Sequence, residues 1–214
     1  MNRKITKRSL PKPLFAGVLL ILFSLTAQAQ DFETEIADFR EHYKNEFLED
    51  ARSPLGKEDL KYLQFFEPDP AYKVKCKFKA TGKGEPFELP TSSGQTKTYT
   101  VFGRLIFKLN GQKLKLNVYR SLALMQNPLY KDYLFIPFKD LTNGKESYGG
   151  GRYIDLRMKD LDGDIWLDFN KAYNPYCAFS EGFSCPIPPV ENHLQIRIEA
   201  GEKNFGKKMD YENH

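Results

Sequence analysis

Histidine is nearly absent from this sequence: there are three in 214 residues, alongside three cysteines and one tryptophan. A cysteine nucleophile needs a histidine base, yet His42 falls in a helical stretch, His214 is terminal, and only His193 lies near a cysteine pair. Two cysteines without a second close Cys or His pair also leave a zinc site short of ligands, so no metal and no cofactor are expected. No cysteine precedes Cys76, which excludes a lipid-modified cysteine at a processed N-terminus. Linkers, repeats and low-complexity stretches are missing as well, so the chain reads as one domain. With 41% hydrophobic and 28% charged residues it is not disordered, collagenous, a coiled coil or a polytopic membrane protein.

What is present begins with Arg3, Lys4, Lys7, Arg8 and Lys12, then the apolar run Leu14 to Ala27 and the tripeptide Ala27-Gln28-Ala29. These are the basic, apolar and small-residue parts of a secretory signal peptide over residues 1–29. The apolar run is short for a bilayer span, so no stable membrane insertion is expected after cleavage near Ala29. A secreted or periplasmic location follows. Removing five basic residues from 32 leaves 27 Lys+Arg against 28 Asp+Glu, a net charge of −1. The overall +4 therefore belongs to the targeting segment. A nucleic-acid partner, which requires clustered cations, is not expected.

Phe32, Ile36, Phe39, Tyr43 and Phe47 repeat at helical spacing, predicting an amphipathic helix from about Asp31 to Glu49, stopped by Ser53-Pro54. From Tyr72 the period becomes two: Tyr72, Val74, Cys76 and Phe78 alternate with Lys73, Lys75, Lys77 and Lys79, a strand with a solvated lysine face and Cys76 as a buried thiol. Asn110-Gly111 predicts a type I′ hairpin that pairs Phe107 with Leu114 and Leu105 with Leu116. Further strands are expected at Tyr133 to Phe138, Tyr153 to Met158, Ile165 to Phe169 and Leu194 to Ala200. The fold class is mainly β: an antiparallel sandwich or a partly closed barrel, with one N-terminal helix. The domain runs over residues 30–203, with 204–214 as a polar C-terminal tail.

The segments Glu146-Ser-Tyr-Gly-Gly-Gly-Arg-Tyr-Ile-Asp155, Asp168-Phe-Asn-Lys-Ala-Tyr-Asn-Pro-Tyr-Cys177 and Cys185-Pro-Ile-Pro-Pro-Val-Glu-Asn-His-Leu194, closed by Ala200-Gly-Glu-Lys203, resemble the bacterial and archaeal family called domain of unknown function 1684. Ser53-Pro-Leu55 and the Phe66 to Tyr72 stretch share the likeness, which covers about residues 35–203. His193 stands where that family more often has Arg. The resemblance implies no particular activity, substrate or catalytic residue.

Asp162-Gly163, read as a hairpin turn, sets Met158 against Leu167, Leu156 against Phe169, Arg157 against Asp168 and Asp155 against Asn170. One face then displays Tyr153, Asp155, Arg157, Asp168 and Asn170. The glycine run 149–151 leads into it and Tyr173-Asn174-Pro175 leads out, which suggests a polar ligand site of Gly150, Arg152, Tyr153, Asp155, Asp168, Asn170, Tyr173, Asn174, Glu191 and Asn192. The glycine run lacks the endings of a phosphate loop, and Asp160 to Asp164 lacks calcium-loop spacing. Cys177 and Cys185, eight positions apart in an exported chain, predict a disulfide. Three functions remain open: an envelope module that binds a polar small molecule or saccharide, an envelope hydrolase using Asp155 and Asp168 as acid, base or nucleophile, and a structural domain without a ligand.

Overall fold

Asn110 and Gly111 adopt φ of 49° and 76°, the positive pair that a type I′ turn demands. They join β3 (Thr96–Leu109) to β4 (Gln112–Ser121) in the expected register, Phe107 opposite Leu114 and Leu105 opposite Leu116. In this computed structural model the described residues are 15–82 and 84–207, with side chains from Gln30 onward. The basic start of the leader and the last seven residues of the tail lie outside them, and so do the side chains around the expected cleavage point. Helix α1 (Phe15–Glu49) ends where the periodicity ends, with Ile36, Tyr43 and Phe47 buried and Phe32 and Phe39 half-buried.

Seven antiparallel strands form one sheet curled into a half-barrel, in the order β6-β5-β4-β3-β1-β7. Here β1 is Lys73–Ala80, β2 Phe87–Pro90, β5 Tyr133–Phe138, β6 Arg152–Arg157 and β7 Ile165–Asp168; β2 pairs with the first part of β3. At Gly103 a Cβ would strike the Phe78 ring and the Lys79 carbonyl, so only glycine lets β1 close on β3 where the register shifts. The β1 lysines face outward, with Lys75, Lys77 and Lys79 exposed, and Cys76 is buried, its thiol pushed up to about 12 by burial.

The expected hairpin at Asp162-Gly163 does not form. β6 pairs with β5 and β7 pairs with β1, so these consecutive strands are the two opposite edges of the sheet. Arg157 consequently meets Asp132 at 2.8 Å rather than Asp168. The intervening residues 158–164, begun by a 3₁₀ turn (Met158–Leu161), reach at most about 25 Å when extended, so the sheet must curl until its edges approach one another. Edge pairing is decided by this long-range closure, which a local turn signal does not register.

The main core fills the concave face with Leu105, Leu116, Leu134, Ile136 and Leu167, and it is capped by Leu194, Ile196, Ile198 and Ala200. That cap is the expected last strand, but it joins no sheet. Its alternate side chains are buried, while its main chain bonds to the main chain of Lys139 and Leu141 through Leu194 and Ile196, and further along to side chains. Arg152, fully buried, donates from Nη2 to Asp140 at 2.7 Å and to the Ile198 carbonyl at 2.9 Å, and from Nη1 to the Ala200 and Glu202 carbonyls. Asp140 in turn accepts from the amide of Ile198 at 3.1 Å. Gly201 (φ 77°) is needed because a Cβ there would meet the Phe169 and Ala172 carbonyls. The chain stays docked as far as Phe205, which packs on Tyr62 and Phe179.

Arg152→Met, which strands Asp140 and three carbonyls in the core, is expected to cost about 3–5 kcal/mol in denaturant unfolding. A loss below about 1 kcal/mol would contradict the bridging role of this guanidinium.

Candidate functional site

The gap between the edge strands β6 and β7 is a cleft of about 1220 Å³, walled on its third side by α1. Asp155 of β6, Trp166 and Asp168 of β7, and His42 and Glu46 of α1 all line it. Glu35 seals one end by holding Lys73 at 2.7 Å and Lys171 at 2.6 Å, and both lysines pull its carboxyl below the usual range.

Strand alternation turns Ile154 toward the main core and Asp155 the other way, among Tyr133, Phe135 and Tyr153. Tyr133 donates its hydroxyl to Asp155 Oδ1 at 2.7 Å, and the Tyr173 hydroxyl lies 2.9 Å from both carboxylate oxygens. Solvent reaches Asp155 through the mouth of the cleft while protein encloses its other sides, so water screens its charge only in part. Burial pushes its pKa up to about 6, against the two tyrosine hydrogen bonds, which lower it; Glu46 also raises it. The same burial, with the neighbouring Asp155 charge, drives the phenols of Tyr133 and Tyr173 well above their ordinary range. The result is a carboxyl that gains and loses its proton close to neutral pH, steadied by two phenols that remain donors.

Of the residues expected in the site, Tyr153, Asp155, Asp168, Tyr173 and Asn174 line this cleft or the smaller chamber that adjoins it. Asp168 does so with one oxygen committed, since Oδ1 accepts from the backbone and side-chain amides of Asn170. Arg152, Asn170 and Asn192 work inside the fold. Asn170 exchanges hydrogen bonds with the main chain of Asp69 at 2.9 Å, and Asn192 ties the main chains of Asn117 and Pro137 together. Gly150 lies against the Tyr148 ring and Glu191 is exposed, and neither lines the cleft. Cys177 and Cys185 are joined as a disulfide, and their loop rests on the β2–β3 turn through Ser92. His193 Nε2 donates to the Pro188 carbonyl, 3.0 Å away.

Tyr133, Glu46 and Trp166 escaped the sequence reading. Tyr133 could be reached only by knowing that β5 is the strand beside β6, and Glu46 only by knowing which groove α1 covers. Among the described residues no cluster of three or more His, Cys, Asp or Glu is placed to hold a metal ion, and no helix is long and apolar enough to cross a membrane.

Behind the cleft lies Glu202, wholly buried. Its Oε2 accepts from the Tyr43 hydroxyl of α1 at 2.9 Å and from the Asn174 amide at 2.8 Å. Burial pushes its pKa up to about 8, and the Asn174 side chain is within hydrogen-bonding reach. Glu202 Oε1 and Asn174 Oδ1 are both buried acceptors without a donor.

The chain matches the family described as "Protein of unknown function (DUF1684)" over residues 58–203. The solution NMR structure of the uncharacterized protein from gene locus rrnAC0354 of Haloarcula marismortui is 35% identical, with a TM-score of 0.63, covering 87% of this chain and 99% of that one. No curated protein matches.

Carbon-detected NMR titration of Asp155 is expected to centre near pH 6. Tyr133→Phe or Tyr173→Phe moves the midpoint upward by removing a donor that favours the carboxylate. A midpoint near the ordinary aspartate value of about 3.9 would refute the enclosed-carboxyl description. Because folded Glu202 holds its proton more tightly than the unfolded chain, its contribution to stability is complete at acidic pH and is lost as pH rises through about 8. Urea unfolding of Glu202→Gln is therefore expected to show a flatter pH dependence between about 4.3 and 8 than wild type; an unchanged slope would show Glu202 to be ionised in the fold.

Proposed function

The chain belongs to the family of proteins of unknown function DUF1684, and on that footing we propose that it is an exported module binding a polar, hydroxyl-rich small molecule or saccharide at Asp155. The observation that carries this reading is the Asp155 carboxylate on the floor of the cleft, flanked by two phenols and open to solvent on one side. A carboxylate and phenols accept and donate to sugar hydroxyls, while Trp166 and Tyr130, both exposed and both lining the cleft, offer ring faces for the apolar side of a pyranose. The basic, apolar and small-residue start of the chain supports export to the envelope.

A hydrolase is the second reading, favoured by the placement of Asp155 on the cleft between two phenols with Glu46 across from it, a setting in which burial pushes the carboxyl up to about 6, where a general acid or base works best. Asp168, the partner first considered, has Oδ1 occupied by Asn170. Glu46, across the cleft on α1, is the carboxylate whose charge reaches Asp155. The purely structural reading accounts well for Arg152, Asn170 and Asn192 but gives Asp155 nothing to do.

Isothermal titration and amide-shift mapping with a panel of envelope mono- and oligosaccharides test the proposal. At least one sugar is expected to shift Asp155, Tyr173 and Trp166 saturably, and Asp155→Ala or Trp166→Ala to weaken it by about tenfold or more. A panel in which no sugar perturbs these residues would defeat it. Release of product that is lost in Asp155→Asn and follows pH with an inflection near 6 would favour the hydrolase.

A further inference from the structure

Tyr133 and Tyr173 form a partition. Their hydroxyls meet Asp155 in the cleft, and both also line a second chamber of about 400 Å³. Tyr99, Phe135 and Tyr153 supply the sheet wall of this chamber, Tyr99 stacked on Phe135 at 5.8 Å between centroids and Tyr153 edge-on to Phe135 at 4.7 Å. Phe183 and Pro186 supply the opposite wall from the disulfide loop, and Leu124 comes from α2 (Leu122–Met125). The Tyr153 hydroxyl is already spent on the Pro186 carbonyl, so that wall presents ring rather than polar surface. The chamber is open to solvent, and an aromatic-lined recess of this volume is of the size small ligands occupy.

The charges at the chamber are of one sign. Lys97 and Arg52 both line it, and none of its lining residues is acidic. Lys97 donates to the Ser184 carbonyl at 2.6 Å and has no carboxylate partner, while partial desolvation and the nearby Arg52 both disfavour its charge. Arg52 is mostly exposed and leans on Asp50. A cation crowded by protein and by a second cation is stabilised when an anion arrives.

We infer that the second chamber binds an aryl or alkyl group ending in an anion, so that the ligand spans both spaces as a conjugate: a polar head at Asp155 and an apolar, anionic arm between the aromatic walls with its charge on Lys97 and Arg52. The head rests on the function proposed above; the arm does not.

The probe is anilinonaphthalene sulfonate, titrated into the full-length protein with fluorescence as the readout. Saturable binding at one site is expected, weakened by about tenfold or more in Lys97→Met and abolished in Leu124→Trp, which fills the chamber. Phenylnaphthylamine, the same rings without the sulfonate, is expected to bind more weakly and to ignore Lys97→Met. Near-UV circular dichroism checks that each variant remains folded. Failure of the sulfonate to saturate, or equal binding by Lys97→Met and Leu124→Trp, overturns the chamber; equal affinity for the uncharged probe overturns its anionic part. Retained probe binding with no sugar response condemns the head alone.

Discussion

A guanidinium removed entirely from water holds this molecule together. Arg152 stands at the start of β6, paired with Asp140 and crossed by the rings of Phe66 and Phe138. Isolating such a charge in apolar surroundings would cost several kcal/mol, and an ion pair alone repays that poorly. With Nε left buried and without a partner, the carbonyls of Ile198, Ala200 and Glu202 take up the Nη donors that Asp140 does not. In doing so they fix the path of the C-terminal segment, which has no sheet partner of its own. Everything that shapes the cleft then follows in sequence. The segment sets Glu202, Glu202 binds Tyr43 and the Asn174 amide, Tyr43 fixes α1, and Asn174 fixes the neighbouring Tyr173, whose hydroxyl steadies Asp155.

Two carboxyls in this chain have raised affinities for protons, for related reasons and with different consequences. Glu202 sits where no solvent arrives, its carboxyl pushed up to about 8 by burial while it accepts from Tyr43 and the Asn174 amide, so its protonation belongs to the fold. Asp155 is enclosed on most sides but wetted at the cleft, so its proton can exchange with solvent or with a ligand. Burial raises both. Access separates the one that holds the fold from the one that is available for recognition or chemistry.

Much of the architecture was legible in the sequence because it rests on local rules. The helix stripe ending at Phe47, the Asn110-Gly111 register and the limits of β5 needed only side-chain periodicity and turn chemistry. The candidate site was legible in part. Asp155, Asp168, Tyr153 and Tyr173 reach the cleft or the chamber, although the hairpin invoked to unite them does not exist. Asp162-Gly163 has the composition of a tight turn, but which strands pair is settled by closure of the whole sheet. The segment 194–200 shows a second limit: alternation reports which side chains face inward and is silent about what satisfies the main chain, here Arg152 and Asp140. Polar residues grouped in strong motifs, such as Asn170 and Asn192, were drawn toward the site by their chemistry when their work is to fasten loops.

The position of the Arg152 carbonyl partners carries a consequence for biogenesis. A chain made from its N-terminus has laid down β1 through β7 before Ile198, Ala200 and Glu202 exist as acceptors. Until they arrive, the guanidinium has Asp140 but lacks the three carbonyls that share its Nη donors in the finished fold. Closure of the core around Arg152 therefore waits for this late segment. A product ending before Ile198 is not a slightly shorter protein but one that lacks all three carbonyl acceptors of the arginine that secures the finished chain.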